Sequence, residues 1–308
     1  MIKSEQFKGL GFILLADLLW GLSGTVAKHL FNQQVSPYDL VQIRLILAFL
    51  FLGTYLAIAN PRSLKIERKD AGYFIIFGLF GVATVQFTYL YTVSETNVAT
   101  AVFLEYLAPV FILLYGLLTR KEIISLFKVL ALILATTGGL LIVKGTTGAG
   151  MAATTAGLIS GLASAVSFAF YTLYGKYGLG KYSPWTLMFW GMGVGGAAWA
   201  LYRPPWITFT SYGAGDWIFF FYIAVFATVL PFGFFFKGLS YLTPVVTGIT
   251  STMEPVLAGL TAYIILGEVL TGMQLLGCAM ILTAVVLVQL RTERQAAFNQ
   301  PVDEQTTG

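Results

Sequence analysis

Two stretches of this chain, residues 97–122 and 244–268, carry one pattern in one register. Each is apolar, holds a single carboxylate and a proline near its middle, and closes on a glutamate. Pro109 and Pro255 stand 146 residues apart, as do the closing Glu122 and Glu268. The same offset pairs Ser94 with Ser240, Val110 with Val256, Leu114 with Leu260 and Leu130 with Leu276. Similarity at a fixed offset marks an internal duplication. The fold must therefore be built from two copies of one unit.

Composition says where those copies reside. The 308 residues are 57% hydrophobic and 10% charged, whereas a soluble domain carries roughly 25% charged residues. A membrane protein is the class that fits. About 20 apolar residues cross a bilayer as a helix, and ten segments qualify: 10–30, 38–58, 71–93, 97–119, 124–143, 156–176, 184–202, 215–240, 244–266 and 271–290. Breakers such as Ser36-Pro37, Asn60-Pro61, Ser183-Pro184 and Arg203-Pro204-Pro205 fall between them. Lys3 and Lys8 before an apolar run resemble a signal peptide, but the run continues without a small-residue cleavage site and reads as a retained first helix. The expected units are 1–147, 148–292 and a polar, disordered cytoplasmic tail, 293–308, with a Gly/Ala/Thr-rich joint between the halves.

Five spans per half is an odd number, so the second copy enters the bilayer upside down. The expected fold is an all-α integral membrane protein of ten transmembrane helices, arranged as two inverted-topology five-helix repeats. Lysines and arginines concentrate on the side of Arg62–Lys69, Arg120, Lys121 and Arg291, leaving Lys28, Lys144 and Arg203 opposite. The positive-inside bias then puts both termini in the cytoplasm. Inverted repeats are the architecture of many secondary carriers, whose site lies near the midplane where the repeats meet.

Ionisable groups at membrane depth cost about 2.5–3.5 kcal/mol or more at a helix centre and need a reason. Asp17, Arg44, Glu105, Lys237 and Glu254 stand out. Glu105 and Glu254 are deepest, and each has two readings: an ion pair (Arg44 for Glu105, Lys237 for Glu254) or a functional, protonatable carboxylate. Asp17 joins them as a proton-coupling candidate, or lies near the inner headgroups. Hydroxyl and small-residue stripes mark walls that avoid lipid. They comprise Trp20, Ser23 and Thr25 beside Asp17 and Gly24; Ser160, Ser164, Ser167, Tyr171 and Tyr174; and Thr247, Thr250, Ser251 and Glu254. Gln86, Tyr106 and Trp190 complete the expected substrate-binding set. Pro109, Pro231 and Pro255 are expected helix kinks, their freed carbonyls available to a cavity.

These features resemble the drug/metabolite transporter superfamily, in particular the ten-helix EamA-type permeases. The resemblance rests on proline followed by the closing glutamate in EYLAPVFILLYGLLTRKE and MEPVLAGLTAYIILGEVLT, and on Trp20-Gly21 in LLWGLSGTVAK. The first copy departs from the pattern, with Arg120-Lys121 where leucine-glycine is usual. The resemblance implies helices 1–4 and 6–9 around a central cavity, helices 5 and 10 outside, and export of amino acids, related metabolites or amphipathic compounds.

The expected function is a secondary permease of the cell membrane that exports a small polar or zwitterionic metabolite, such as an amino acid, by alternating access. The alternative is an efflux pump for lipophilic or quaternary cations, favoured by the excess of buried acids. The chain lacks HExxH, a nucleophile–histidine pair within the spans, a filter-like loop and the GxxxxGK[ST] phosphate loop, so an enzyme, a channel and an ATP-driven pump are all disfavoured. No cofactor, metal cluster, disulfide (Cys278 is alone) or nucleic-acid partner is expected. The expected partners are the small-molecule substrate, the lipid bilayer and protons as coupling ion, with the protein a monomer or homodimer.

Overall fold

The computed structural model describes residues 2–119, 125–145, 154–266 and 270–298. Arg120, Lys121, the closing Glu122 and Glu268, the joint 146–153 and the tail beyond 298 lie outside them.

The described residues form helices at all ten expected positions. In chain order these are α1 (Ile2–Asn32), α2 (Pro37–Ala59), and a third span made of α3 (Ala71–Ile76), a π-helical stretch (Phe77–Ala83) and α4 (Thr84–Glu95). The fourth is α5 (Val98–Glu105) with α6 (Ala108–Thr119), and the fifth is α7 (Leu126–Gly145). The second half repeats this as α8 (Thr155–Leu179) and α9 (Pro184–Tyr202), with a short α10 (Pro205–Thr210) on the loop. Then come α11 (Ala214–Ala224), a π-helical stretch (Val225–Val229), α12 (Leu230–Tyr241), α13 (Pro244–Ser251), α14 (Glu254–Leu266) and α15 (Gly272–Phe298). Seven of the spans are both long and apolar enough to cross a bilayer by those criteria alone; α9, the α13–α14 pair and α15 complete the ten. One expectation needs correction: α15 runs to Phe298, beyond the anticipated end at 290, because Arg, Glu, Gln and Ala after Leu290 are good helix formers.

Helix starts follow local chemistry. Pro37 and Pro184 open α2 and α9, where a missing N–H costs nothing. Asn97 accepts from the Thr100 N–H (2.8 Å), and Thr243, 146 residues later, from the Val246 N–H (3.4 Å).

The duplication predicted from the sequence is carried into the backbone. Both π-helical stretches end at register-matched residues, Ala83 and Val229. Both proline spans break at matched residues, Tyr106-Leu107 and Thr252-Met253. Lys28 donates to the carbonyls of Val93 (3.0 Å) and Thr96 (2.8 Å), capping the third span. Lys176 does the same to Leu239 (2.6 Å) and Leu242 (2.8 Å), capping the eighth, and each acceptor lies 146 residues after its counterpart. A cation at the last carbonyls of a helix satisfies orphan acceptors and opposes the helix dipole.

Packing obeys the same two-fold relation. Span one lies against span eight as span six lies against span three; spans two and seven pair, and so do five and ten. The last pair, α7 and α15, crosses at Gly138 and Gly277, where a Cβ on either would fall 2.5–2.7 Å from the other's carbonyl oxygen. Only glycine lets these backbones approach so closely.

Candidate functional site

The prolines make the site. Pro109 and Pro255 carry no N–H, so each interrupts its span just where an acid stands. Glu105 is the last residue of α5, before one break, and Glu254 the first residue of α14, after the other. The two carboxylates thus reach the same depth from opposite sides of equivalent breaks.

A void of about 50 Å³ collects Trp20, Ser23, Arg44, Gln86, Glu105, Tyr106 and Glu254. These are seven of the twelve substrate-binding residues expected from sequence. The void holds no more than a water or a small charged group. Through Trp20, Gly24, Val102, Tyr106 and Glu254 it shares walls with a larger cavity of about 410 Å³ between α1, α5, α7, α14 and α15. That volume suits a small organic solute. The larger cavity lies toward the face that carries the α4–α5 turn and the end of α7. On the opposite face α13 closes on α6: a Cβ at Gly248 would sit 3.2 Å from Pro109 and Ile112. A second cavity of about 910 Å³ lies there, lined by α6, α8 and the α12–α13 turn, including Tyr115, Tyr174 and Lys176.

The expected ion pairs are not what holds the charges. Arg44 is 5% exposed and donates to Thr228 Oγ1 (2.9 Å) and the Ala227 carbonyl (2.9 Å). Both acceptors are displayed by the second π-helical stretch, whose wider turns offer groups that an α-helix would use internally. Glu105 accepts from Ser164 (2.5 Å), and Glu254 from the Tyr106 hydroxyl (2.6 Å) rather than from Lys237, whose ammonium lies over the Tyr241 ring. The guanidinium and the two carboxylates therefore face the void, each hydrogen-bonded to neutral partners.

The remaining candidates stand apart from this lining. Tyr171 packs its ring on Phe77 and Phe236 and points its hydroxyl at Met188 Sδ (3.5 Å). Trp190 donates to the Leu64 carbonyl (3.1 Å). Thr250 folds back on the Val246 carbonyl, and Ser167 and Ser251 are buried on α8 and α13. Pro231 sits at the start of α12, just after the π-helical stretch. Asp17 is wholly buried inside the bundle. Sequence reasoning passed over Tyr89, Tyr222 and Thr228. Tyr89 lines the void one turn beyond Gln86, a spacing that could have found it. Tyr222, 3.5 Å from Ser23, and Thr228 had no sequence signal, since only the π-helical offset turns Thr228 toward Arg44.

Ten helices in two repeats, with charged groups around a buried void, define a multi-pass protein of the cell membrane. The comparisons agree. The model of the EamA-like transporter family matches the chain twice, over residues 7–144 and 155–290. The chain belongs to that family. It is 31% identical over 292 residues to an uncharacterized inner membrane transporter, YicL, of Salmonella typhimurium, covering 94% of this chain and 97% of that one. An uncharacterized transporter of Archaeoglobus fulgidus is 33% identical over 267 residues, covering 86% and 92%. The threonine/homoserine exporter RhtA of Salmonella typhimurium is 25% identical over 287 residues, covering 90% and 89%. A crystal structure with 16% identity superposes with a TM-score of 0.74 over 95% of this chain and 99% of that one, which supports the fold.

Proposed function

We propose that this transporter exports a small zwitterionic metabolite of the amino-acid type by alternating access, with both termini in the cytoplasm. One observation carries the reading: a fixed cation, Arg44, and two carboxylates, Glu105 and Glu254, line a single void. A zwitterion presents a carboxylate and an ammonium a few ångströms apart and satisfies both ends of such a site. Trp20 and Tyr106 supply the apolar wall, and Gln86 and Ser23 the neutral hydrogen bonds. Glu254 faces the large cavity as well as the void, so it is the carboxylate we assign to meet the substrate amine or a coupling proton; Glu105, behind it, is the second proton-coupling candidate. The threonine/homoserine exporter among the relatives fits this class of solute. No chemistry on the solute is part of the proposal. Its units are 1–147, 148–292 and the tail 293–308, and a monomer or a homodimer serves it equally.

The test is counterflow in proteoliposomes loaded with unlabelled threonine or homoserine. Saturable uptake of labelled amino acid, lost in Glu254→Gln and in Arg44→Gln, is the expected result. Uptake that survives both substitutions removes the zwitterion site. A second reading, efflux of lipophilic cations, has the mainly apolar wall of the large cavity in its favour. It requires transport of a quaternary amine to survive Arg44→Gln, since such a solute has no carboxylate to lose.

A further inference from the structure

The charges inside this bundle do not balance. Asp17, Glu105 and Glu254 lie among the spanning helices together with Arg44, while Lys28 and Lys176 are spent on helix-end carbonyls and Lys128 is buried in the first turn of α7. Two of the carboxylates have donors of their own, Ser164 and Tyr106. Asp17 is 0% exposed, and among the described residues neither of its oxygens has a hydrogen-bond partner. A bare carboxylate there would cost several kcal/mol, which is too much to leave unmet.

The helices packed against it carry oxygens as well. α1 packs along α13 and α14. Gly21, one turn beyond Asp17, meets Ala258, one turn beyond Glu254, and Asp17 interacts electrostatically with Glu254 and Tyr106. On α13 the hydroxyls of Thr247 and Ser251 are wholly buried and, among the described residues, also without partners. Thr247 and Ser251 stand four residues apart on α13, so they share a face, and Glu254 opens α14 just past the break. The Ser251 carbonyl adds another oxygen, because the residue that would donate to it in an unbroken helix is Pro255.

A proton on Asp17 would neutralise the charge but leave the rest of this oxygen cluster unanswered. A hard cation answers carboxylate, hydroxyl and carbonyl oxygens together. The carbonyl end of a broken half-helix is also where a membrane carrier can hold such an ion. One unpaired carboxylate calls for a single positive charge. Close packing favours a small ion, since even a Cβ at Gly21 would lie 3.2 Å from that of Ala258. We infer that Asp17, Thr247 and Ser251, with the carbonyl end of α13, bind a sodium ion beside Glu254. Such a site differs from the metal clusters considered in the sequence; among the described residues no three His, Cys, Asp or Glu side chains are grouped to hold a metal. Sodium there would brace the α13–α14 break against α1, and it does so whichever solute the cavity carries.

The test is thermal unfolding of the purified full-length protein without substrate, with sodium chloride exchanged for potassium or choline chloride at constant ionic strength and pH. A saturable rise in Tm that sodium alone produces is expected by mass action. Asp17→Asn should abolish the rise, and Ser251→Ala and Thr247→Val should each weaken the apparent sodium affinity about tenfold. Thr54→Ala, on the exposed face of α2, should leave it unchanged. No sodium-specific rise in the wild type, or one that persists in Asp17→Asn, overturns the site. If Asp17→Asn does not fold, unaltered sodium affinity in both hydroxyl variants overturns it instead. Threonine-dependent stabilisation measured in choline chloride tests the zwitterion reading separately, so either can fail alone.

Discussion

Spans four and nine are the same device with different chemistry. Both are capped by a side-chain oxygen at register-matched residues, both break at matched residues, and both breaks are followed by a matched proline. The acids do not match: the register places Glu105 opposite Ser251 and Glu254 opposite Ala108. The difference separates two jobs. On the alternating access proposed above, breaks, π-helical stretches and lysine caps would serve motion, since inverted repeats ask both halves to move alike. Binding a solute that is itself asymmetric asks for unlike groups. Matched substitutions in the first class should therefore act equally, and in the second unequally.

The largest inequality is expected at the acids. Glu254→Gln should lower transport about 30- to 100-fold, the loss of a charge-assisted contact worth roughly 2–3 kcal/mol. Its register mate, Ala108, is buried in the core and does not line the void, so Ala108→Ser should lower transport no more than about fivefold, in line with the ~1 kcal/mol typical of a single substitution. Initial rates in proteoliposomes measure both, and equal losses would break the division of labour.

Equality is expected next at the lysines. Lys28→Met and Lys176→Met each strip a cation from two helix-end carbonyls. Each should cost about 2–3 kcal/mol, in line with hydrogen bonds to charged groups. Denaturation in mixed micelles compares them, and costs that differ by more than about 1 kcal/mol would show that one cap has acquired a separate role. The prolines should have a smaller effect on stability. Pro109→Ala and Pro255→Ala restore an N–H and should change stability by about 1 kcal/mol or less while slowing transport to the same degree. Unequal slowing would mark one break as the hinge that moves.

The proline breaks were legible in the sequence because duplication preserves spacing, which sets Pro109 and Pro255 in one register; the π-helical stretches and the lysine caps were not. Glu105, Glu254 and Arg44 were legible because charge at membrane depth is costly and therefore conspicuous. Their partners were not. Ser164 and Tyr106 are ordinary residues whose hydroxyls matter only once α8 and the broken fourth span fix their direction. Thr228 and Ala227 reach Arg44 through a π-helical offset that no composition rule foresees. Tyr171 and Trp190 misled for the complementary reason: an aromatic beside a polar stripe looks the same in sequence whether its ring fills the core or faces a cavity.

The two faces of the molecule repeat the lesson with the smallest expected effect. On one, Asp70 accepts hydrogen bonds from Lys181 (2.5 Å) and from Tyr182, Lys181 also meets Glu67 (2.6 Å), and the Glu67 N–H donates to Tyr182. On the other, Asp39 accepts from Arg203 (2.8 Å) and Tyr212 (2.8 Å), and the Ser36 N–H donates to Tyr212. Each cluster is an aspartate, a tyrosine and a cation joining the two repeats, and each offers its own pH readout. The hydrogen bonds from Lys181 hold Glu67 and Asp70 below their ordinary values of 4.5 and 3.8. A depressed carboxylate contributes stability above its unfolded value and loses it as pH falls through the folded one. The first cluster should thus loosen under acid, seen as faster hydrogen exchange at the Glu67 amide. Lys181→Met should make that amide exchange readily at neutral pH and flatten its acid dependence. Tyr212 is pushed up to about 12, first by burial and then by its bond to Asp39. A raised tyrosine contributes below its unfolded value of about 10 and fails as pH rises through the folded one. The second cluster should therefore open in alkali, read as a late phenolate absorbance step missing in Tyr212→Phe. A phenolate step unchanged in Tyr212→Phe would remove the second cluster from the comparison.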